Sequence, residues 1–238
     1  DAQRDSLIEA VQLLGIYFQD REDVYVSGNL FIYYEEGNPE AVVAPDTFVI
    51  LGIPKRRRRS YKVWEENNKT PDFVLEISSK STRSKDQGAK KGIYAFLEIS
   101  EYFQYDPTGD YLKPQLQGLR FRAGNYLPIP SISLPDGTLS LRSEVLELDL
   151  RLESGKLRFY NPIKGEKLMN YEESERARVQ LEEARLQAEE ARLQAEEARL
   201  QAEEEARKEL EIRQAAEARI AELEAQLQAL QKQQPPTE

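Results

Sequence analysis

The chain has 238 residues, a net charge of −10, and neither cysteine nor histidine. It can therefore form no disulfide, no cysteine or histidine metal site and no Ser-His-Asp triad. Any metal ion must be held by oxygen atoms, which favours Mg²⁺, Mn²⁺ or Ca²⁺. No run of about 18 apolar residues predicts a membrane span and no signal peptide is visible, so we expect a cytoplasmic protein.

Composition divides the chain into a body and a tail. Every glycine lies within residues 1–165, whereas the following residues are mostly Glu, Ala, Arg, Leu and Gln. This change predicts a globular domain over 1–165, a long charged helix over 166–232 and a disordered tail over 233–238. Residues 171–238 carry a net charge of −8, so the body is close to neutral.

The body alternates helical and strand patterns around Pro and Gly turns. Its predicted elements are a helix over 5–19, strands over 24–37, 41–53 and 71–78, a helix over 84–98 and a strand over 101–106. Several short strands follow between residues 110 and 160. This order predicts an α+β domain built around one sheet.

The tail repeats the heptad EEARLQA three times, over residues 182–202. Alanines at alternating spacings of four and three residues form a weak seam there, and the seam Ile220, Leu223, Leu227 and Leu230 follows it. We expect a helix whose far end pairs with a second copy, giving a homodimer. The alternative is a single charged helix, supported by ion pairs one turn apart, that never pairs.

Two acids stand at apolar strands of the body. Asp46 opens the strand in APDTFVI, and Glu76 lies inside the strand in PDFVLEIS. Acids on two neighbouring strands could bind one divalent cation, and a nearby lysine could stabilise charge on a phosphate. Taken singly, each acid also has a plain explanation: Asp46 as a turn residue, and Glu76 as a side chain that points into solvent. Glu9, on the first helix, is a further candidate acid.

A basic cluster, KRRRRS, follows the first of these strands. Its five cations could contact phosphates and add salt-sensitive, sequence-independent affinity. The candidate DNA-binding residues are Lys55, Arg56, Arg57, Arg58, Arg59 and, from the loop after Glu76, Arg83. The alternative is a solvated loop without a ligand.

The sequence also resembles a known family. The matching motifs are PD before a strand, PDFVLEIxSxSTRxxD, a helix with DxxxKxxxY, and EYFxYDP, and together they cover roughly residues 5–165. In these motifs the chain resembles the Uma-two family of restriction endonucleases, within the PD-(D/E)xK nuclease superfamily. The resemblance implies a restriction-endonuclease-like core with a central mixed sheet flanked by helices, and Mg²⁺-dependent cleavage of phosphodiester bonds.

Carried over by position, the resemblance assigns Asp46 and Glu76 as metal ligands and catalytic acids. The superfamily lysine would stand two residues after Glu76, where this chain has Ser78. The family has a lysine on the following helix, a place that Lys90 occupies here. Lys80 is the alternative catalytic lysine.

Two functions follow from these observations. The first is a metal-dependent endonuclease that uses Mg²⁺ or Mn²⁺, acts on DNA and dimerises through its C-terminal helix. The second is a catalytically inactive scaffold or nucleic-acid-binding module that works through its coiled coil. Ser78 and the long tail favour the scaffold, whereas Asp46, Glu76 and Lys90 favour the nuclease.

Overall fold

A computed structural model describes residues 2–78 and 85–232, without the side chains of 85–87 and 227–232. Two of the predicted site residues, Lys80 and Arg83, and the predicted disordered tail lie outside the described residues. Close contacts divide the chain into two compact units, residues 1–173 and 174–238. The long helix begins at Tyr171 rather than at 166, because residues 166 and 167 form a strand.

The described residues contain fourteen strands and three α-helices. The helices are α1 (Ala2–Tyr17), α2 (Lys91–Phe96) and α3 (Tyr171–Lys232), with a 3₁₀ turn at Val63–Glu66 and a π-helical turn at Lys85–Lys90. The strands are β1 (Val24–Ser27), β2 (Ile32–Tyr33), β3 (Val42–Val43), β4 (Thr47–Leu51), β5 (Tyr61–Lys62), β6 (Phe73–Ile77), β7 (Glu101–Tyr105), β8 (Leu116–Arg122), β9 (Asn125–Pro128), β10 (Ser131–Ser133), β11 (Leu139–Ser143), β12 (Leu148–Glu153), β13 (Lys156–Asn161) and β14 (Glu166–Lys167).

A six-stranded mixed sheet is the centre of the first unit. Its strand order is β1-β4-β6-β7-β8-β9, with β6 and β7 parallel and the other neighbours antiparallel. The parallel pair needs a crossover connection, which the π-helical turn and α2 provide. The predicted mixed sheet with flanking helices and a long C-terminal helix is confirmed.

Side chains alternate between the two faces of the central sheet along each strand, and other elements cover both faces. One face packs against α1 and the sheet β10–β14, through an apolar cluster that includes Leu14, Phe73, Leu75, Phe103, Leu150 and Phe159. The other face packs against α2 and the small sheet β3-β2-β5, through a cluster that includes Ile32, Phe48, Tyr61, Val74, Tyr94 and Tyr102. The expectation of one sheet is therefore wrong, since the described strands form three.

A buried carboxylate joins the central sheet to the five-stranded sheet. Glu101 on β7 is 1% exposed and accepts hydrogen bonds from Arg120, from the Ser143 hydroxyl and from the Glu144 backbone. The Arg120 and Glu144 donors each lie 2.8 Å from its Oε1. Because Ser143 and Glu144 lie in or next to β11, these hydrogen bonds hold the two sheets together.

The first residues of α3, up to Glu173, belong to the first unit, and the helix start is capped there. Asn170 and Glu173 form a reciprocal capping box, with the Glu173 N–H 2.9 Å from Asn170 Oδ1 and the Asn170 N–H 3.2 Å from Glu173 Oε2. Glu9 on α1 accepts from Asn170 at 3.0 Å and from Arg158 at 2.7 Å. Glu9, a candidate acid of the site, thus holds the helix start in place.

None of the helices among the described residues has the length and apolar character needed to cross a membrane.

Candidate active site

The strand register places Asp46 and Glu76 side by side at one end of the central sheet. Thr47 on β4 lies opposite Leu75 on β6, so the next position pairs Asp46 with Glu76. Both point toward the face that α2 covers, because side chains alternate along each strand. The Ile77 N–H also donates to Asp46 Oδ2 at 2.7 Å, which orients this carboxylate next to Glu76.

The backbone at Asp46 depends on a glycine in the neighbouring connection. A Cβ at Gly28 would lie 2.3 Å from the Asp46 carbonyl oxygen and 2.7 Å from a methyl group of Val11. The next residue, Asn29, donates its backbone N–H to the Pro45 carbonyl at 2.9 Å, so the two segments are also joined by a hydrogen bond. Only glycine permits this close packing, so Gly28 helps to set the position of the first acid.

Glu76 is fully buried and is held by two donors from the helical segment. Lys90 Nζ lies 2.7 Å from its Oε2, and the Tyr94 hydroxyl donates to its Oε1. Burial, with a further contribution from the negative charge of Asp46, raises the pKa of Glu76 to about 8 despite the contact with Lys90. A second positive charge beside these acids would therefore be strongly stabilising.

Lys90 and Tyr94 are four residues apart, so they lie on the same side of the helical segment. Lys90 Nζ also approaches the Ala44 carbonyl, at 3.3 Å, which brings it next to the start of β4. The structure thus brings together Asp46, Glu76 and Lys90, three of the predicted site residues. Tyr94 was not among the predicted site residues, although it is the tyrosine of the DxxxKxxxY motif and contacts Glu76.

The donor set fits a small divalent cation. Among the described residues no group of three or more acidic side chains could hold a metal ion, so a cation at this place would depend on the pair Asp46 and Glu76. Mg²⁺ is typically held by one or two carboxylates, with water and substrate phosphate completing its shell. Two adjacent carboxylates, one of them buried with a raised pKa, match that requirement.

The basic cluster divides into engaged and free cations. Lys55 Nζ donates to the carbonyls of Phe18, at 2.6 Å, and Gln19, at 2.7 Å, just after α1 ends. Arg58, whose side chain is 4% exposed, forms a two-point ion pair with Glu66, at 2.8 and 3.1 Å. These two cations stabilise the loop, so burial and pairing leave them little freedom to bind a ligand.

Three arginines of the cluster remain at the surface. Arg56 is exposed and shares Glu66 with Arg58. Arg57 and Arg59 are exposed and, within the described part of the chain, make no hydrogen bond or ion pair. Together the cluster lines an open groove of about 1020 Å³ beside Tyr25. A polyanion could reach these guanidinium groups without breaking the fold.

The groove and the acids lie at opposite ends of β4. Asp46 precedes this strand and the basic cluster follows it, and five strand residues span roughly 17 Å. Helix α1 also runs from the acids toward the basic cluster. Gln3 near its start donates to the Ile77 carbonyl at 3.0 Å, whereas Lys55 contacts the Phe18 carbonyl just after its end. The basic cluster and the acids are therefore separated by the length of β4.

The α+β core thus carries two acids at neighbouring strands, with a lysine from a helical segment beside them. Residues 2–153 match the model of the Uma2 family, described as "Putative restriction endonuclease". The chain belongs to this family, which confirms both the resemblance in the motifs and the restriction-endonuclease-like class of the core.

One solved structure is similar over part of the chain. It is described as a "putative nuclease belonging to DUF820 from Anabaena variabilis ATCC 29413", with 12% sequence identity and a TM-score of 0.41. The similarity covers 57% of this chain and 73% of that chain. No curated protein matches the sequence. The assignment to the family rests on the family model alone.

The contacts of the basic cluster predict different outcomes for two adjacent arginines. Arg58→Ala removes the two-point ion pair of Glu66 and leaves this largely buried carboxylate with Arg56 alone, so we expect it to lower the free energy of unfolding by about 2 kcal/mol. Arg57→Ala, the matched control, should change it by less than about 0.5 kcal/mol. Urea denaturation of both variants measures the difference, and equal stabilities would contradict the assignment.

The hydrogen bond and charge of Arg58 lower the pKa of Glu66, so the same pair of variants has an expected pH dependence. An acid with a lowered pKa in the folded state stabilises the fold at neutral pH, and this stabilisation is lost as the pH falls through that pKa. The stability difference between wild type and Arg58→Ala should therefore shrink in acid.

Proposed function

We propose that the protein is a Mg²⁺-dependent endonuclease that hydrolyses phosphodiester bonds of DNA. The observation that carries the proposal is the contact of Lys90 Nζ with Glu76 Oε2, at 2.7 Å, beside Asp46. Lys90 would thus replace the superfamily lysine, whose usual position is occupied by Ser78 in this chain. Membership of a family described as restriction endonucleases supports the same function.

Each residue of the site has a chemical role in this proposal. Asp46 and Glu76 would hold Mg²⁺ or Mn²⁺, which when bound polarises the phosphate and lowers the pKa of a bound water. Lys90 places a positive charge where negative charge develops on the phosphate. Tyr94 holds the Glu76 carboxylate in its orientation through its hydroxyl.

The exposed arginines would bind the DNA backbone away from the cleavage point. Arg57 and Arg59 have the free guanidinium groups, and Arg56 can add a third contact. At 3.4 Å per base pair, roughly 17 Å corresponds to about five base pairs between these contacts and the acids. Base-specific hydrogen bonds are not part of this proposal, which concerns the sequence-independent part of binding.

Plasmid nicking tests the nuclease. With Mg²⁺ or Mn²⁺, we expect wild type to nick supercoiled plasmid, and Asp46→Asn and Glu76→Gln to lose activity by at least about a hundredfold. Lys90→Met, which keeps the length of the side chain, should lose a comparable amount if this lysine stabilises the transition state. Removal of the metal with a chelator should abolish nicking by every variant.

Controls distinguish loss of chemistry from loss of the fold. Each variant is checked by circular dichroism and thermal melting before it is assayed. Lys80→Ala is the matched test of the alternative lysine, and its loss of activity with a fully active Lys90→Met would move the catalytic role to Lys80. A folded wild type that binds metal but never cuts would contradict the nuclease and support the scaffold.

Salt titrations test the proposed DNA contacts. If Arg57 contacts one phosphate, Arg57→Ala should weaken duplex binding for every sequence and reduce the slope of log K against log salt by about one. The same holds for Arg59→Ala. Lys164→Ala, at an exposed site on the turn before β14, is the control that should leave the slope unchanged. Unchanged slopes for both arginine variants would show that the groove does not bind DNA.

We propose further that α3 pairs with α3 of a second copy. Ala216, Ile220 and Leu223 begin a seam at spacings of four and three residues, and Leu227 and Leu230 continue it in the sequence. Ile220 is 56% exposed and Leu223 is 49% exposed, so a partner helix could cover them. In a parallel pair Arg219 of one copy would face Glu224 of the other, whereas an antiparallel pair would oppose like charges. The charges therefore favour parallel pairing.

Single cysteines test the pairing, because the chain has none of its own. Ala216→Cys, Leu223→Cys and Leu230→Cys each place a thiol on the seam. In a parallel pair all three should give disulfide-linked dimers on mild oxidation, whereas an antiparallel pair has one self-facing layer and allows at most one. Ala225→Cys, on the outer side of the same turns, should give none. No dimer at any position would contradict self-association.

A further inference from the structure

The polar row at the end of the central sheet continues past the two acids to a glutamine. Gln104 on β7 lies opposite Glu76 in the parallel pair, so the two side chains share one face. Asp46, immediately before β4, Glu76 on β6 and Gln104 on β7 therefore follow one another across three neighbouring strands, which lie about 4.8 Å apart. The candidate site thus has a neutral amide beside its carboxylates.

The amide of Gln104 has an unused donor. The residue is 7% exposed, and its Nε2 is buried without a hydrogen-bond partner among the described residues. Glu76, whose two oxygens accept from Lys90 and Tyr94, is not a partner of this amide, although the two side chains share one face. Native structures keep few buried donors without an acceptor, so this one indicates an acceptor that the fold itself does not supply.

We propose that Gln104 Nε2 donates a hydrogen bond to a non-bridging oxygen of the phosphodiester held at Asp46 and Glu76. This inference rests on the proposed nuclease function and names a further residue that touches the substrate. A neutral amide suits the position, because it can donate to phosphate without forming an ion pair with Glu76, as a lysine or arginine there would. The acceptor is an anion, which makes the hydrogen bond stronger than one to a neutral group.

The next strand provides a matched control. Gln117 on β8 lies opposite Gln104 and continues the same row. Its Nε2 already donates to the Pro114 carbonyl, at 3.2 Å. Two glutamines on one face of the sheet therefore differ in one respect that matters here, namely whether the amide has a partner within the fold.

The experiment compares Gln104→Leu and Gln117→Leu. Binding of a DNA duplex is measured by fluorescence anisotropy in Ca²⁺, which shares the oxygen ligands of Mg²⁺. We expect Gln104→Leu to weaken binding by about tenfold or more, and Gln117→Leu by less than twofold. Gln104→Met, unbranched and of matching length, should behave as Gln104→Leu does and guards against a packing artefact.

Two further measurements separate a substrate contact from a structural role. Gln104→Leu removes an unpaired buried donor, so its melting temperature should stay the same or rise. Its affinity for Mn²⁺ without DNA, measured by calorimetry, should remain that of wild type, because the two carboxylates are intact. A fall in melting temperature with unchanged DNA affinity would assign Gln104 to the fold and overturn the proposal.

The outcomes also distinguish this proposal from the nuclease itself. If wild type binds and cuts DNA but Gln104→Leu binds equally well, the contact is wrong and the nuclease stands. If wild type neither binds nor cuts DNA in any of the three metals, the nuclease is wrong and the Gln104 contact falls with it.

Discussion

The buried charge of Glu76 is the constraint on which the rest of the site depends. A carboxylate in the middle of a fully covered sheet is costly unless it has partners, and here they come from a single helical segment. Lys90 and Tyr94 can reach it together only because they are four residues apart and α2 packs directly on this face. The packing of Tyr94 against Tyr102, with ring centroids 5.2 Å apart, fixes that segment in turn.

The buried and half-buried acids of the body differ in whether a second carboxylate lies beside them. Glu101 and Asp106 are saturated by the fold: Asp106 accepts from the backbone N–H groups of Thr108, Tyr111 and Leu112, and so closes the turn after β7. Asp72 similarly accepts from the Leu51 N–H, at 2.8 Å, and fastens the end of β4. Asp46 and Glu76 instead lie side by side, so that one cation there would stabilise both carboxylates.

Much of the core of this site could be predicted from the sequence. Asp46, Glu76 and Lys90 lie in local motifs, and each motif already fixes its residue on a strand or a helix. Gln104 could not be found in this way, because its place beside Glu76 depends on the register of two strands joined by a crossover. The separate five-stranded sheet escaped prediction for a similar reason, since short strands divided by turns do not show which sheet they join.

The basic cluster is a second case in which the sequence alone does not show which residues can bind a ligand. Its five cations are equivalent in the sequence, yet Lys55 binds carbonyls more than 30 positions away and Arg58 binds Glu66. A run of like charges thus overstates the number of groups that can bind a ligand. Burial and partners, which only the fold provides, reduce it to the exposed arginines.

Helix α1 spans the interval between the basic groove and the acids, with Gln3 next to Ile77 at one end and Lys55 at the other. It therefore acts as a spacer of fixed length within the first unit. A ligand has to be long enough to cover that interval before it can touch both places at once. Under the proposed function, mononucleotides and very short oligonucleotides would engage one end only.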